Sequence, residues 1–391
     1  MKPLMFYCQY VFGMGHLVRS LEIARALARE FEVTFVAGGD PVQGLELPPN
    51  AKLVRLPALE AQPGFQGLRP CDPASDLEET RRLRQRQLLE VFEDVRPEVL
   101  VIELFPFGRK QFSFELLPLL ERARHSGTFV ACSLRDILVR KQNQAAHEQR
   151  VCEIANAWFD LILVHGDPAL VTIGETFSRA GDLSCDLRYT GYVVKSAAAV
   201  RAMPRNGQPT IVGSIGGGRS DEGRQLLETL TAAAWLLRDR IPHEFRIFAG
   251  PFMPDDAYAR LDDLAAGARN VRLQKYTPDL ISQLAAADLS VSLGGYNTTM
   301  DILRTGVRAL ILPAEDSGDR EQALRASKLE RLGAIETIDP ARVSAPELSE
   351  QIVRAIERAP HRLSLNLNGA ENTRELLRTL SRTRQEVAIG A

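Results

Sequence analysis

The chain has 391 residues, of which 45% are hydrophobic and 25% charged, enough for two globular domains and unlike the composition of disordered chains. A formal net charge of -2 supplies no basic field, so nucleic acid is excluded as the expected partner. No run approaches the roughly 18 apolar residues of a membrane-spanning helix, and five scattered cysteines without a CxxC pair suit a reducing, cytoplasmic setting.

The first ten residues, MKPLMFYCQY, carry one lysine and lead into a glycine loop, so they read as a first strand and not as a secretory leader. Four more short runs follow: Glu32 to Ala37, Val99 to Ile102, Thr128 to Cys132 and Leu161 to Val164. Continuous apolar runs separated by helical patterns fit parallel strands covered on both faces, hence an α/β fold with a doubly wound parallel sheet. Polar groups follow every run: Gly13, Met14, Gly15 and His16; Gly38, Gly39 and Asp40; Glu103; Arg135 and Asp136; His165, Gly166 and Asp167. In an open parallel sheet the carboxyl ends of the strands line one crevice, so these groups are expected to converge.

Two residues compete for the role of general base. His16 begins a helix behind a glycine turn, with Asp40 one strand away, and an imidazole titrating near roughly 6.5 suits proton removal or a phosphate contact. Glu103 closes an apolar strand before LFPFGRKQF, where Phe105 and Phe107 are expected to desolvate it and raise its pKa. A plain ion pair of Glu103 with Arg109 or Arg135 is the alternative. Arg109, Arg135, Asp136, His165 and Asp167 are the candidates on the acceptor side. The run Arg81, Arg82, Arg84 and Arg86 follows Asp76, Glu78 and Glu79 in a helical pattern and reads as a solvated helix face, with contact to an acidic membrane surface as the alternative.

Small residues, two prolines and a glycine in AAAVRAMPRNGQP break the pattern, so the domains are drawn at 1–191 and 209–368, with a linker at 192–208. A helical tail, 369–391, is expected to pack back on the first domain. The second domain opens with a strand from Thr210 to Ser214 and the loop Gly213 to Gly218, followed by a helix. Backbone without side chains there can approach a diphosphate at a helix N-terminus. The loop is neither a P-loop, since no GK[ST] follows, nor a GxGxxG dinucleotide fingerprint.

The segment from Ala287 to Gly333 is the richest in polar groups. A short apolar strand ends in Gly294 and Gly295, then come Tyr296, Asn297, Thr298 and Thr299, and a helix whose first turn is expected to carry Asp301. A second strand, Ala309 to Pro313, leads to Arg320, Glu321 and Gln322. Glycines, hydroxyls, an acid and an Arg/Glu/Gln cluster thus reach one sheet edge, as a nucleotide-sugar site needs.

Three motifs together carry a resemblance: GxGH with the helix LVRSLEIARAL, the 213–218 loop, and ADLSVSLGGYNTTMD…LP…DREQ. They resemble the GT-B glycosyltransferases, and within these the family 28 type around the peptidoglycan-precursor N-acetylglucosaminyltransferase. That resemblance implies two Rossmann-like domains facing across a cleft, the C-terminal one holding the donor. It implies Asp301 for the ribose hydroxyls, Glu321 and Gln322 for the sugar, and Gly294, Gly295, Asn297 and Thr298 beside the diphosphate, with Gly15, Gly216, Gly217 and Gly218 also on the donor. Lys275, Tyr276 and Thr277 hold the position of the base-binding turn, with Tyr276 stacking on uracil. Arg219 and Arg320 would stabilise the leaving diphosphate, since no DxD or His/Cys metal spacing is present.

The expected activity is therefore hexosyl transfer from a UDP-linked sugar, without cofactor or metal, probed against two rivals. One is a nucleotide-sugar hydrolase or non-hydrolysing 2-epimerase of the same fold; the other is a non-catalytic nucleotide-sugar-binding subunit. The acceptor is a saccharide, lipid-linked or small-molecule hydroxyl, with a cytoplasmic location and peripheral contact at the inner membrane face if it is lipid-linked.

Overall fold

The computed structural model describes residues 1–10, 15–39, 46–61, 67–195, 200–201, 209–314, 320–340 and 343–389. They divide into two compact units, Met1–Val193 with Leu365–Ala391 and Val194–Ser364. Each unit is a parallel α/β sheet with helices on both faces.

Unit 1 contains β1 (Lys2–Cys8), α1 (Gly15–Leu27), β2 (Phe31–Ala37), β3 (Lys52–Arg55), the antiparallel pair β4 (Leu59–Ala61) and β5 (Leu68–Pro70), then α2 (Leu77–Val95) and β6 (Val99–Glu103). It continues with α3 (Ser113–His125), β7 (Phe129–Arg135), α4 (Gln144–Trp158), β8 (Leu161–His165) and β9 (Asp186–Tyr189). The main sheet runs β3-β2-β1-β6-β7-β8-β9, parallel at every pairing. Successive side chains of β1 face opposite ways: Leu4, Phe6 and Cys8 join the core with α1, while Met5 and Tyr7 join the core with α2 and α3. Burial on both faces is what makes the run continuously apolar.

Unit 2 contains β10 (Thr210–Ser214), α5 (Asp221–Leu237), β11 (Glu244–Phe248), α6 (Asp255–Ala266), β12 (Val271–Gln274) and α7 (Leu280–Ala286). Then come β13 (Leu289–Leu293), α8 (Tyr296–Thr305), β14 (Arg308–Leu312), α9 (Glu321–Arg331), β15 (Glu336–Thr337) and α10 (Ala345–Glu357). Its sheet runs β12-β11-β10-β13-β14-β15, again parallel throughout. Both sheets reverse their winding direction beside the first strand, between β1 and β6 and between β10 and β13. In such sheets ligands bind outside the strand ends at that reversal.

The chain re-enters unit 1 at Leu365 and ends in α11 (Gly369–Ile389). Leu377 of α11 is fully buried in the core that also holds Leu4, Phe6 and Leu17. The Asn372 side-chain amide donates to the Thr190 carbonyl at 2.7 Å, and Arg29 pairs with Glu371 at 2.6 Å. Most of the 192–208 linker lies outside the described residues; of the rest, Lys195 donates to the Pro278 carbonyl at 2.7 Å and Arg201 N–H to Ser282 Oγ at 2.8 Å.

One expected surface is internal. Arg84 does not belong to a solvated face: it is fully buried, with Nη2 and Nε donating to Glu115 at 2.6 and 2.9 Å. Its Nη1 donates to the Gly38 and Pro57 carbonyls, and Nη2 also to Gln9 Oε1 at 2.7 Å. The cause is helix geometry, because Thr80, Arg84, Leu88 and Phe92 form one i, i+4 stripe and that stripe is the buried side of α2. Arg81 and Arg86 stay at the surface, paired with Glu78 and Glu90.

Candidate functional site

At the reversal point of unit 1, the end of β6 and the start of α1 bring Glu103 and His16 together. His16 Nδ1 is 2.6 Å from Glu103 Oε1, and Arg19 Nη2, one helical turn on, donates to the same oxygen at 2.7 Å. Arg109 Nη2 stands 3.9 Å from the other oxygen, Oε2. Glu103 is fully buried and His16 keeps 18% of its side chain exposed. The loop after β6 holds these groups in an uncommon backbone path, with Leu104 and Arg109 at φ of 67° and 59°. Phe105 and Phe107, both buried in the core, anchor that path.

The charges decide the protonation states. Burial alone would raise the Glu103 pKa, as its aromatic surroundings suggested, but His16, Arg109 and Arg19 outweigh it and bring it from 4.5 down to about 2. The expectation of a raised Glu103 pKa is therefore overturned by the cations that share its pocket. Burial lowers His16 from 6.5 to about 4; Glu103 opposes the shift, while Arg109 and Arg19 reinforce it. At neutral pH Glu103 is an ionised acceptor, which assigns the imidazole proton to Nδ1 and leaves the lone pair on Nε2.

The other strand-end groups take different places. His165 lies fully buried with Nε2 2.8 Å from Ser133 Oγ and Nδ1 2.8 Å from Thr190 Oγ1, and burial, helped by Arg19, lowers its pKa to about 3. Arg135 is near enough to Arg109 to lower the latter's pKa, after burial as the main cause. Asp136 is fully buried against Gly166, where a Cβ would meet its side chain at 2.7 Å. Asp167 uses both oxygens on backbone, accepting from Ala169 N–H at 2.9 Å and Asn366 N–H at 2.8 Å, so it ties down the returning chain. Asp40, Gly13 and Met14 lie outside the described residues, and Gly15 opens α1 as an exposed residue.

Unit 2 assembles a second polar edge at its own reversal. Ser214 pairs in register with Ser292, so the loops after β10 and β13 leave side by side. Gly216 and Gly218 have φ of 65° and 84°, a region that favours glycine. A Cβ on Gly218 would meet the Ala249 carbonyl at 2.5 Å. Gly250, which the motif reading missed, explains this: at φ 94° it packs against Gly217 and Gly218, donating to the Lys275 carbonyl at 2.7 Å, while Phe252 N–H donates to the Gly217 carbonyl at 2.9 Å. A third glycine at a strand end, in FAGPF, was the available signal. Backbone thereby links the glycine loop to the turn of half-buried Tyr276, whose phenol burial shifts upward. Arg219 is exposed and lies over the Phe252 ring at 4.4 Å.

Gly295 caps α8, with open space where its Cβ would be. The first helical turn is Tyr296 to Thr299, so Asp301 falls in the second turn and not the first, because the polar run is itself helical. Asp301 is buried, Asn297 partly so, and Thr298 buried. Gly294 makes room for Gln322, whose Oε1 accepts from Ala314 N–H at 3.2 Å. Arg320 caps α9 and is exposed; Glu321, its first residue, is buried. Among the described residues no group of three or more His, Cys, Asp or Glu is placed to hold a metal, and no helix is long and apolar enough to cross a membrane.

Residues 214–377 match the family described as Glycosyltransferase family 28 C-terminal domain. Over 167 residues the chain is 32% identical to the UDP-N-acetylglucosamine--N-acetylmuramyl-(pentapeptide) pyrophosphoryl-undecaprenol N-acetylglucosamine transferase of Vibrio cholerae serotype O1, a match of 42% of this chain and 44% of that one. The chain thus spans less than half the length of that relative. Over 405 residues, 96% of this chain and 98% of the relative, it is 24% identical to an uncharacterized glycosyltransferase of Methanosarcina mazei. The fold matches Acinetobacter baumannii MurG, with a TM-score of 0.58 at 14% identity, covering 96% of this chain and 99% of that one. It also matches a putative UDP-N-acetylglucosamine 2-epimerase from Listeria monocytogenes, with a TM-score of 0.65 at 13% identity and 98% of both chains covered. Residues 214–377 thus carry the match to the family 28 C-terminal domain, and the two parallel-sheet units are similar in fold to glycosyltransferases of the GT-B type.

Proposed function

We propose that the chain transfers a sugar from a UDP-sugar to an acceptor hydroxyl, with inversion and without a metal ion. The observation that carries the reading is the His16–Glu103 pair at 2.6 Å, standing at the ligand-binding edge of unit 1. Ionised Glu103 holds the Nδ1 proton, so Nε2 takes the proton of the acceptor hydroxyl as that oxygen attacks the anomeric carbon. The bond from the anomeric carbon to the diphosphate oxygen breaks on the opposite face, and UDP departs with its electron pair. The α8 N-terminus, the glycine loop, Arg219 and Arg320 balance the charge on the departing diphosphate. Asp301 takes the ribose diol, Glu321 and Gln322 the sugar hydroxyls, and Tyr276 the base.

The donor reading is supported by the Vibrio cholerae relative, whose name carries a UDP-linked sugar and an undecaprenol-linked acceptor. A lipid-linked acceptor is accordingly within the proposed class, reached by peripheral contact with the inner membrane face. Five free cysteines favour a cytoplasmic site of action. The 2-epimerase neighbour keeps a second reading alive, since its fold is also that of this chain. Incubation with UDP-sugar alone separates the two: rapid release of free sugar or of an epimer would overturn the transferase reading. Thermal stabilisation by UDP and not by GDP, ADP or TDP tests the donor class.

A further inference from the structure

Arg325, in the second turn of α9, joins the sugar-reading residues to the helix that approaches the phosphate. It is 1% exposed; Nη2 donates to Glu321 Oε1 at 2.6 Å, and Cζ lies 5.2 Å from the centroid of the Tyr296 ring. Tyr296 is the first residue of α8 and Glu321 the first of α9. One cation therefore lies over the ring of the opening residue of one helix and bonds the opening residue of the next. Burial makes either charge costly alone, so each offsets the other, and the guanidinium holds the carboxylate oxygen it bonds. An ammonium carries no planar face to lay on the ring while bonding the carboxylate.

We propose that Arg325 is a positioning residue that sets donor-sugar selectivity by fixing Glu321 against Tyr296, on the footing that unit 2 binds a nucleotide sugar. Glu321 offers only acceptor oxygens, whereas Gln322, with Oε1 engaged by Ala314, offers its amide donors. A fixed acceptor beside a fixed donor discriminates the orientation of neighbouring sugar hydroxyls. The nucleoside diphosphate is met by other groups, the glycine loop, the α8 N-terminus and Asp301, so Arg325 acts on the sugar and not on UDP.

The test is calorimetry on the full chain with UDP and with UDP-hexoses paired as C4 epimers, UDP-glucose against UDP-galactose and their N-acetylamino counterparts. In Arg325→Met, UDP affinity is expected to stay within about threefold while the preference between epimers falls about tenfold or more. Arg325→Lys, which restores charge without the planar fork, is expected to recover only part of the preference, and adding Glu321→Gln to Arg325→Met should change it no further. Melting temperatures of the same variants separate selectivity from folding. Equal losses for UDP and UDP-sugars, an unchanged preference, or no preference in the wild type would each overturn this inference alone. A wild type that binds none of these ligands would overturn the donor reading and this inference with it.

Discussion

His16 Nδ1 and Glu103 Oε1 lie 2.6 Å apart, on residues 87 positions distant in sequence that meet only because β1 and β6 are neighbours in the sheet. The two rivals for the base are thus bonded partners, and in the proposed function Glu103 holds the proton that keeps His16 basic. His16→Ala is expected to lower kcat by about 10² to 10⁴-fold. Glu103→Gln, similar in shape but without the charge, should lose a comparable part of kcat with little change in donor KM. Steady-state kinetics on both variants decide this; an unaltered kcat in both would remove the pair from the chemical step, whereas a wild type with no turnover would point to the non-catalytic subunit.

The pH profile follows from the same pair. With His16 lowered to about 4 in the unliganded chain, the proposed base is already unprotonated above that value, so kcat/KM should be level from about pH 6 to 8 and fall as the pH drops toward 4. A limb centred near an ordinary histidine value would contradict the burial of His16.

Stability should show a related acid dependence. His16 and His165 bind protons less readily folded than unfolded, so the unfolded chain takes up more protons below about 6.5, and stability present above that pH is lost as the pH falls toward about 4 and about 3. Glu103 extends the loss from 4.5 down to about 2. His165→Asn, which can still bond Ser133 and Thr190, is expected to flatten the melting-temperature curve between pH 6.5 and 4. A curve parallel to the wild type would assign the acid sensitivity elsewhere.

Arg84 and Glu115 should couple strongly. Arg84→Met leaves the buried Glu115 carboxylate without its cation, held by the Tyr7 hydroxyl, and is expected to cost about 3 to 5 kcal/mol in urea unfolding, whereas Arg84→Met with Glu115→Leu should recover much of that loss. Additive losses would mean that the pair is solvated in solution.

The glycine loop offers a graded test. Gly216→Ala meets open space and bears only the cost of its left-handed backbone, about 1 to 2 kcal/mol, while Gly218→Ala also drives a Cβ into the Ala249 carbonyl. Gly218→Ala should therefore lower the melting temperature more and weaken UDP binding more. If Asp301 takes the ribose as proposed, Asp301→Asn is expected to reduce UDP affinity about tenfold, by giving up charge assistance to those bonds.

Much of this was legible because a doubly wound sheet writes itself as repeated apolar runs ending in polar groups. The strands, the glycine loop and the pair Glu321 and Gln322 all stand out by local pattern. The strand ends were expected to converge and Arg109 was the expected alternative partner of Glu103, but strand order is not local, so the direct bond of His16 to Glu103 and the part of Arg19 in lowering its pKa were not legible. Arg84 was misread because composition marks a basic run, and only the four-residue spacing from Thr80 to Phe92 marks its buried side. Gly250 was missed because its role is contact with another loop, far away in sequence.

The return of the chain to unit 1 at Leu365 sets an order of events during synthesis. Residues 194–364 are complete before α11 exists, while the core around Leu4, Phe6 and Leu17 lacks Leu377 until the last helix has been made. The middle of the chain is therefore able to finish folding earlier, while the core between the N-terminal sheet and α1 stays incomplete until the α11 segment brings Leu377 to it.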